Sequence, residues 1–185
     1  MGFELESERE PLGRDEIEEL RRAAAADAVT ELGDLDLAAS EIDRFYALTV
    51  AVQAAAVLEQ YDVASKLSEE LLALAPSYRD NWNYGNAVHN AHTALGLVAL
   101  ANGNIAGAIQ HLHAAGATPG SPQLDTFGPS MALARALMLE GHFEPVAEYL
   151  KKCRLFWEMG EQWLDTWEKM IARRVVPNCV MHAFR

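Results

Sequence analysis

Four histidines lie close together in the middle of the chain, where imidazole nitrogens can hold a metal ion or move a proton. His89 and His92 are three residues apart in one helical segment, and His111 and His113 lie in the next. If these segments form an antiparallel hairpin that turns at Gly103, then His92, His111 and His113 come within one turn of each other. Three such imidazoles suit a divalent transition metal. The alternative is that these histidines lie on helix surfaces or in the core with satisfied hydrogen bonds. No acidic ligand lies near His89 and no His-Glu-x-x-His motif occurs, so we expect no metal.

An uncharged polar stretch overlaps these histidines and is a second candidate site. Its amide, phenol, imidazole and hydroxyl groups belong to Asn81, Asn83, Tyr84, Asn86, His89, Asn90 and Thr93. Side chains of this kind suit hydrogen bonding to a peptide backbone or to a small polar ligand. A polar face that packs against water or a neighbouring helix gives the same pattern, and the sequence leaves both interpretations open.

The remaining reactive groups form no recognisable catalytic arrangement. Cys153 lies on an apolar helical stripe, where a cysteine is usually a small buried hydrophobe. No Gly-x-Ser-x-Gly motif, phosphate-binding glycine loop or dinucleotide fingerprint is present. The aromatic segment with Trp163 and Trp167 suits a ligand, but we favour packing of a terminal helix. We therefore expect no cofactor, and binding in preference to catalysis.

The charge balance restricts the class of partner. The 185 residues include 15 Lys and Arg against 27 Asp and Glu, which gives a formal net charge of −12. A charge of this sign argues against a nucleic acid or an anionic membrane as partner. The acid-rich start does not resemble a signal peptide, and no apolar run of about 18 residues is present. We expect a cytoplasmic protein that binds neither nucleic acid nor membrane.

Helical periodicity in the apolar residues predicts a single all-α domain over residues 14–176. An acidic, flexible arm is predicted at 1–13, and the tail at 177–185 shows no clear structure. The break at 102–104 predicts a tight turn, because Gly and Asn tolerate the left-handed conformation of a helix C-cap. Pro129 predicts either a kinked helix or a helix that starts near Phe127.

The segment 90–115 resembles the tetratricopeptide repeat, a helix-turn-helix unit of about 34 residues. Leu95-Gly96 matches its Leu-Gly pair, and Ala108 and Leu112 fill its Ala-x3-Phe positions. Two other segments show parts of the same pattern: Tyr61–Pro76 and Leu133–Leu150. The resemblance implies an all-α, right-handed stack of three tetratricopeptide-like antiparallel hairpins. A helix from Arg14 precedes the stack, and a capping helix over 161–173 closes it.

In that family the first helices of successive units line a concave groove that binds peptides. By spacing, the residues expected there are Tyr46, Thr49, Gln53, Asn86, His89, Asn90, Thr93, Met131 and Arg135. Only Arg135 among them is cationic, so a strong carboxylate clamp is not expected. The resemblance implies an adaptor, chaperone-like or regulatory module with a protein or peptide partner, and a homodimer is also compatible. The alternative is an enzyme, or a small-ligand or metal-binding protein, with its site at the histidine and asparagine cluster.

Overall fold

The structure, a computed structural model, describes residues 14–183, so the arm expected at 1–13 lies outside the described residues. The described part consists of helices, turns and short 3-10 segments, without a β-strand. The prediction of an all-α protein is therefore confirmed for this range. The helices are α1 (Arg14–Asp34), α2 (Glu41–Val57), α3 (Tyr61–Leu74), α4 (Tyr84–Ala101), α5 (Ile105–Gly116), α6 (Pro122–Phe127), α7 (Ala132–Leu139), α8 (Phe143–Cys153), α9 (Glu161–Ala172) and α10 (Val180–Ala183). Within 14–183, no helix combines the length and hydrophobicity needed to cross a membrane.

Local capping contacts set the boundaries of several helices. The Ser40 hydroxyl accepts a hydrogen bond from the N–H of Asp43 at 3.2 Å and so begins α2. Gly103 ends α4 with a φ of +72°, a conformation that glycine adopts without steric cost. The side-chain oxygen of Asn104 then accepts from the N–H of Gly107 at 2.9 Å and begins α5. These contacts make the α4–α5 turn that the sequence predicts.

The entry to α7 differs from the prediction. A short helix ends at Phe127, and α7 begins only at Ala132, so neither a kinked helix nor a start at Phe127 is correct. Gly128 has a φ of +81°, which terminates the first helix. Pro129 then lacks the N–H that a continuing helix requires. Residues 128–131 therefore separate two helices.

Helices that follow one another along the chain pack together in pairs. Helix α2 packs on α3, α4 on α5, and α7 on α8, while α4 also contacts α2 on one side and α7 on the other. Two clusters of buried side chains form the core. One is centred on Phe45 and Leu71, and the other on Met131 and Tyr149. At Gly96 a side chain would collide with Leu133 of α7, so this glycine permits close approach of α4 and α7.

The C-terminal region covers the end of the second cluster. Helix α9 packs on α8, and Trp167 is 0% exposed, with its ring 5.9 Å from that of Trp163. The sequence predicts this helix and its aromatic packing. The following segment, expected to lack clear structure, instead forms α10. There Cys179 is buried, and the His182 carbonyl accepts from the N–H of Met131 at 2.8 Å.

Candidate functional site

The histidines do not assemble as a group of three. His92 and His111 face each other across the α4–α5 hairpin, with their Nδ1 atoms 3.1 Å apart. His113 is two residues further along α5, about 200° round the helix, and its Nε2–H donates to the carbonyl of Pro145 at 3.2 Å. Among residues 14–183 no three His, Cys, Asp or Glu side chains lie together in a way that suits a metal ion. The geometric argument that unites His92, His111 and His113 is therefore wrong.

The His92–His111 pair is neutral at physiological pH. Burial lowers the pKa of both imidazoles, and the charge of its partner lowers the pKa of His92 further. One Nδ1–H must then donate to the other Nδ1. This hydrogen bond joins α4 to α5 within their hairpin.

His89 is a core residue and not part of an open surface. It is 0% exposed, and each ring nitrogen has a backbone partner on a different element. Its Nδ1 lies 3.2 Å from the carbonyl of Ala115, and its Nε2 lies 3.0 Å from the N–H of Ser130. The carbonyl can only accept and the N–H can only donate, so the ring is neutral with its proton on Nδ1. Burial lowers its pKa from 6.5 to about 4.

Most of the polar stretch is used to join α2 to the start of α4. The side-chain amide of Asn81 donates to the Tyr46 hydroxyl at 2.8 Å. The amides of Asn83 and Asn90 donate to Thr49, at its hydroxyl and its carbonyl, each at 2.9 Å. Asparagines here satisfy one another and the neighbouring helix, as buried polar groups generally do. The interpretation of this face as packed against a neighbouring helix is thus the one that these side chains fit.

Asn86 extends this network to the loop before α6. Its amide donates to Asn83 at 2.9 Å and lies 3.2 Å from the Gln123 side-chain oxygen. Its own oxygen accepts from the hydroxyl of Ser121. With its donors and acceptor engaged, Asn86 is a structural residue in this arrangement.

A groove of about 530 Å³ lies beside this network, and α2, α4 and α7 each contribute to it. Its floor is apolar and is formed by small and aliphatic side chains, which are Ala56, Val57, Ala94, Leu97, Leu100, Ala132, Ala136 and Leu139. The N-terminal half of α1 forms one wall, and Ser130 and Ala183 lie at the edge near the start of α7. A volume of this size falls within the range of ligand pockets, about 300–1,000 Å³.

Three polar side chains enter this groove, one from each of its three main helices. They are Gln53 on α2, Thr93 on α4 and Arg135 on α7. Within residues 14–183 these three side chains make no hydrogen bond or ion pair. The asparagines of the neighbouring network differ from them, because each of those has a partner. Polar groups that lack a partner within the chain and line an apolar cavity are the groups that a ligand can engage.

The register of the helices brings these three side chains to the same part of the groove. Asn90 is bonded to Thr49, and Thr93 and Gln53 follow those two residues by about one helical turn. Ser130 lies against His89, one turn before Thr93, and Arg135 follows Ser130 by five residues. All three side chains line the same groove. We call Gln53, Thr93 and Arg135 the groove triad.

The other charged residues of the groove are mostly paired. On the α1 wall Arg22 lies 3.7 Å from Glu18, and Arg21 lies 3.7 Å from Glu59 at the end of α2. Arg135 is the cation of this lining that lacks such a contact within the described chain. Sequence reasoning missed the α1 wall, because the contact between α1 and the groove depends on how that helix crosses α2.

The nine residues expected on a concave surface thus fall into three groups. Gln53, Thr93 and Arg135 line the groove. Four others belong to the polar network: Tyr46, Thr49, Asn86 and Asn90. The last two, His89 and Met131, are 0% exposed and lie in the core.

Comparison of this chain with protein-family models, with curated protein sequences and with solved structures finds no match. Any function must therefore be argued from the groove and its side chains.

Proposed function

We propose that this protein is a binding module, an adaptor or regulatory partner, that holds a peptide segment of another protein in the groove. The proposal includes a stack of three tetratricopeptide-like hairpins, α2–α3, α4–α5 and α7–α8, whose first helices line a concave surface. Its main support is the groove triad: three unpaired polar side chains, one from each first helix, over an apolar floor. Stacked helical hairpins present extended concave surfaces of this kind.

The groove side chains indicate what such a segment must carry. All three triad members can donate hydrogen bonds, and Arg135 adds a positive charge. The floor of leucine and alanine favours an aliphatic side chain, and the triad favours a carboxylate close to it. We therefore expect a segment with an internal Asp or Glu between apolar residues. The overall charge of −12 makes a polyacidic segment unsuitable, because repulsion from the rest of the surface would oppose it.

The alternative site at the histidine and asparagine cluster has less support. His89 and the asparagines are engaged in hydrogen bonds between helices, and His92 and His111 are bonded to each other. A ligand there would have to break these contacts before it could form its own. The groove triad requires no such exchange.

Selection from a random 12-residue peptide library tests the proposal, because it requires no candidate partner at the outset. The full chain is the bait, and the enriched peptides are measured for affinity against the wild type and two variants. We expect Arg135→Ala to weaken binding tenfold or more, since a charge-assisted hydrogen bond contributes about 1.5–3 kcal/mol. Arg79→Ala is the matched control, because Arg79 is exposed and does not line the groove. It should leave affinity unchanged.

Two results would contradict the proposal. Failure to enrich any peptide would remove the binding function. Equal loss in the Arg135 and Arg79 variants would show that general electrostatics, and not the groove, determines binding. An enriched set without acidic residues would retain the groove but refute the role given to Arg135.

A further inference from the structure

The start of α7 is held by hydrogen bonds to three other parts of the chain. Ser130 donates its N–H to Nε2 of His89 at 3.0 Å, and its carbonyl accepts from the Tyr149 hydroxyl at 3.0 Å. The next N–H, of Met131, donates to the carbonyl of His182. These contacts hold the residues that lead into α7, and the buried face of this eight-residue helix packs against α4 and α8.

One of these contacts also belongs to the groove. His89 is one turn before Thr93 on the same face of α4. Ser130 lines the groove and precedes Arg135 by five residues. The bond between His89 and Ser130 therefore sets the start of α7 against α4, immediately beside the groove triad.

We propose that His89 is a positioning residue for the groove: by accepting from the N–H of Ser130 it places α7, and with it Arg135, opposite Thr93. The inference rests on the proposed function, because it gives His89 a part in ligand affinity without contact with the ligand. The other ring nitrogen donates to Ala115 at 3.2 Å, so the ring has one orientation that satisfies both bonds. A purely apolar side chain would fill the space and leave the Ser130 N–H without its acceptor.

The surroundings keep Nε2 available as an acceptor. His92 on α4 acts on the ring electrostatically, and Tyr149 on α8 is bonded to the same residue, Ser130, as the ring is. An edge of Phe156 faces the ring at 6.4 Å between ring centres. Burial lowers the pKa of His92 and raises that of Tyr149 well above its ordinary value, so neither is charged at neutral pH. No charged group within this set favours protonation of His89.

Two substitutions in the full chain separate positioning from simple stability. His89→Leu removes the acceptor, whereas His89→Gln keeps a side-chain oxygen near the position of Nε2. Thr118→Val is the control, because it removes a buried bond of 2.7 Å to Gly85 that does not involve α7. In the ligand-free protein, amide exchange at Ser130 should be tenfold faster or more in the Leu variant. The Gln variant should recover most of the protection, and the Thr118 variant should leave it unchanged.

Affinity for a library-selected 12-residue peptide is the second readout. We expect about a tenfold loss for His89→Leu, less than a threefold loss for His89→Gln, and no change for Thr118→Val. Unchanged exchange at Ser130 in the Leu variant would overturn the inference whatever the peptide does. Faster exchange with wild-type affinity would overturn the positioning role and leave the proposed function standing. If no peptide binds the wild type, the proposed function is wrong, and so is the expected effect of His89 on affinity. The amide-exchange result at Ser130 then still tests the contact itself.

The inference also stays testable if His89→Leu does not fold. In the wild-type protein, nitrogen-15 spectra must show His89 with an unprotonated Nε2 that is coupled to the Ser130 amide. An Nε2-protonated ring at neutral pH would contradict it.

Discussion

Acidification should destabilise this protein through His89, by an amount that follows from its environment. The pKa of this imidazole falls from 6.5 to about 4 on folding because the ring is fully buried. The unfolded chain therefore binds the proton more tightly than the folded chain does. The contribution of neutral His89 to the unfolding free energy is complete above pH 6.5, and it is lost as pH falls from 6.5 towards 4.

The size of the effect follows from the two pKa values. A difference of about 2.5 units corresponds to about 3.4 kcal/mol once both states are protonated, since one unit is 1.36 kcal/mol. At pH 5, where the folded protein is still mostly neutral at this site, the linkage relation gives a loss of about 2 kcal/mol relative to pH 7.5.

Urea unfolding at a series of pH values between 7.5 and 5 measures this loss, with tryptophan fluorescence as the signal. Carboxylates and the His92–His111 pair also titrate, so the quantity of interest is the difference between the wild type and His89→Gln. That variant should be less stable than the wild type at pH 7.5. The difference in unfolding free energy between the two proteins should then be smaller by about 2 kcal/mol at pH 5. A free-energy difference that stays constant between pH 7.5 and pH 5 would refute the assignment of His89 as a buried neutral base.

Three further substitutions test the fold by the same unfolding assay. Trp167→Ala should lower the free energy of unfolding by about 3–5 kcal/mol, because this ring is 0% exposed and packs against Trp157 and Trp163. A loss below about 1 kcal/mol would show that the ring is not part of the core. Asn90→Ala should cost about 1 kcal/mol through its bond to α2, and no change would show that this amide is idle. Ser40→Ala should cost about 0.5–2 kcal/mol as a lost N-cap, whereas an unchanged midpoint would argue against the cap.

Features that depend on near neighbours in the sequence were predictable. The Ser40 cap and the turn at Gly103 each need only a few residues, so their chemistry can be read directly from the chain. The helix that contains Trp167 was predictable because its apolar residues recur at helical spacing. The break before α7 was harder to place, because both Gly128 and Pro129 interrupt helices and the sequence does not show which one ends the first.

Features that depend on distant contacts were not predictable in the same way. Residues 177–183 have no helical periodicity, and the burial of most of them follows from docking of this segment against α7 and the tryptophans. The triad members Gln53, Thr93 and Arg135 were expected on a shared surface because the resemblance to tetratricopeptide repeats implies one, with helix register deciding which residues face it. That register could not distinguish them from Asn90, whose amide is engaged because α2 lies within reach.

The central claim is that the groove triad contacts the bound segment, and chemical-shift mapping tests it most directly. The isotope-labelled full chain is titrated with the tightest peptide from the library selection. We predict that the largest shifts occur at the side chains of Gln53, Thr93 and Arg135 and at the methyl groups of Leu97 and Leu139 on the floor. Shifts confined to α5 or α8, which contribute no residue to the groove lining, would contradict this claim.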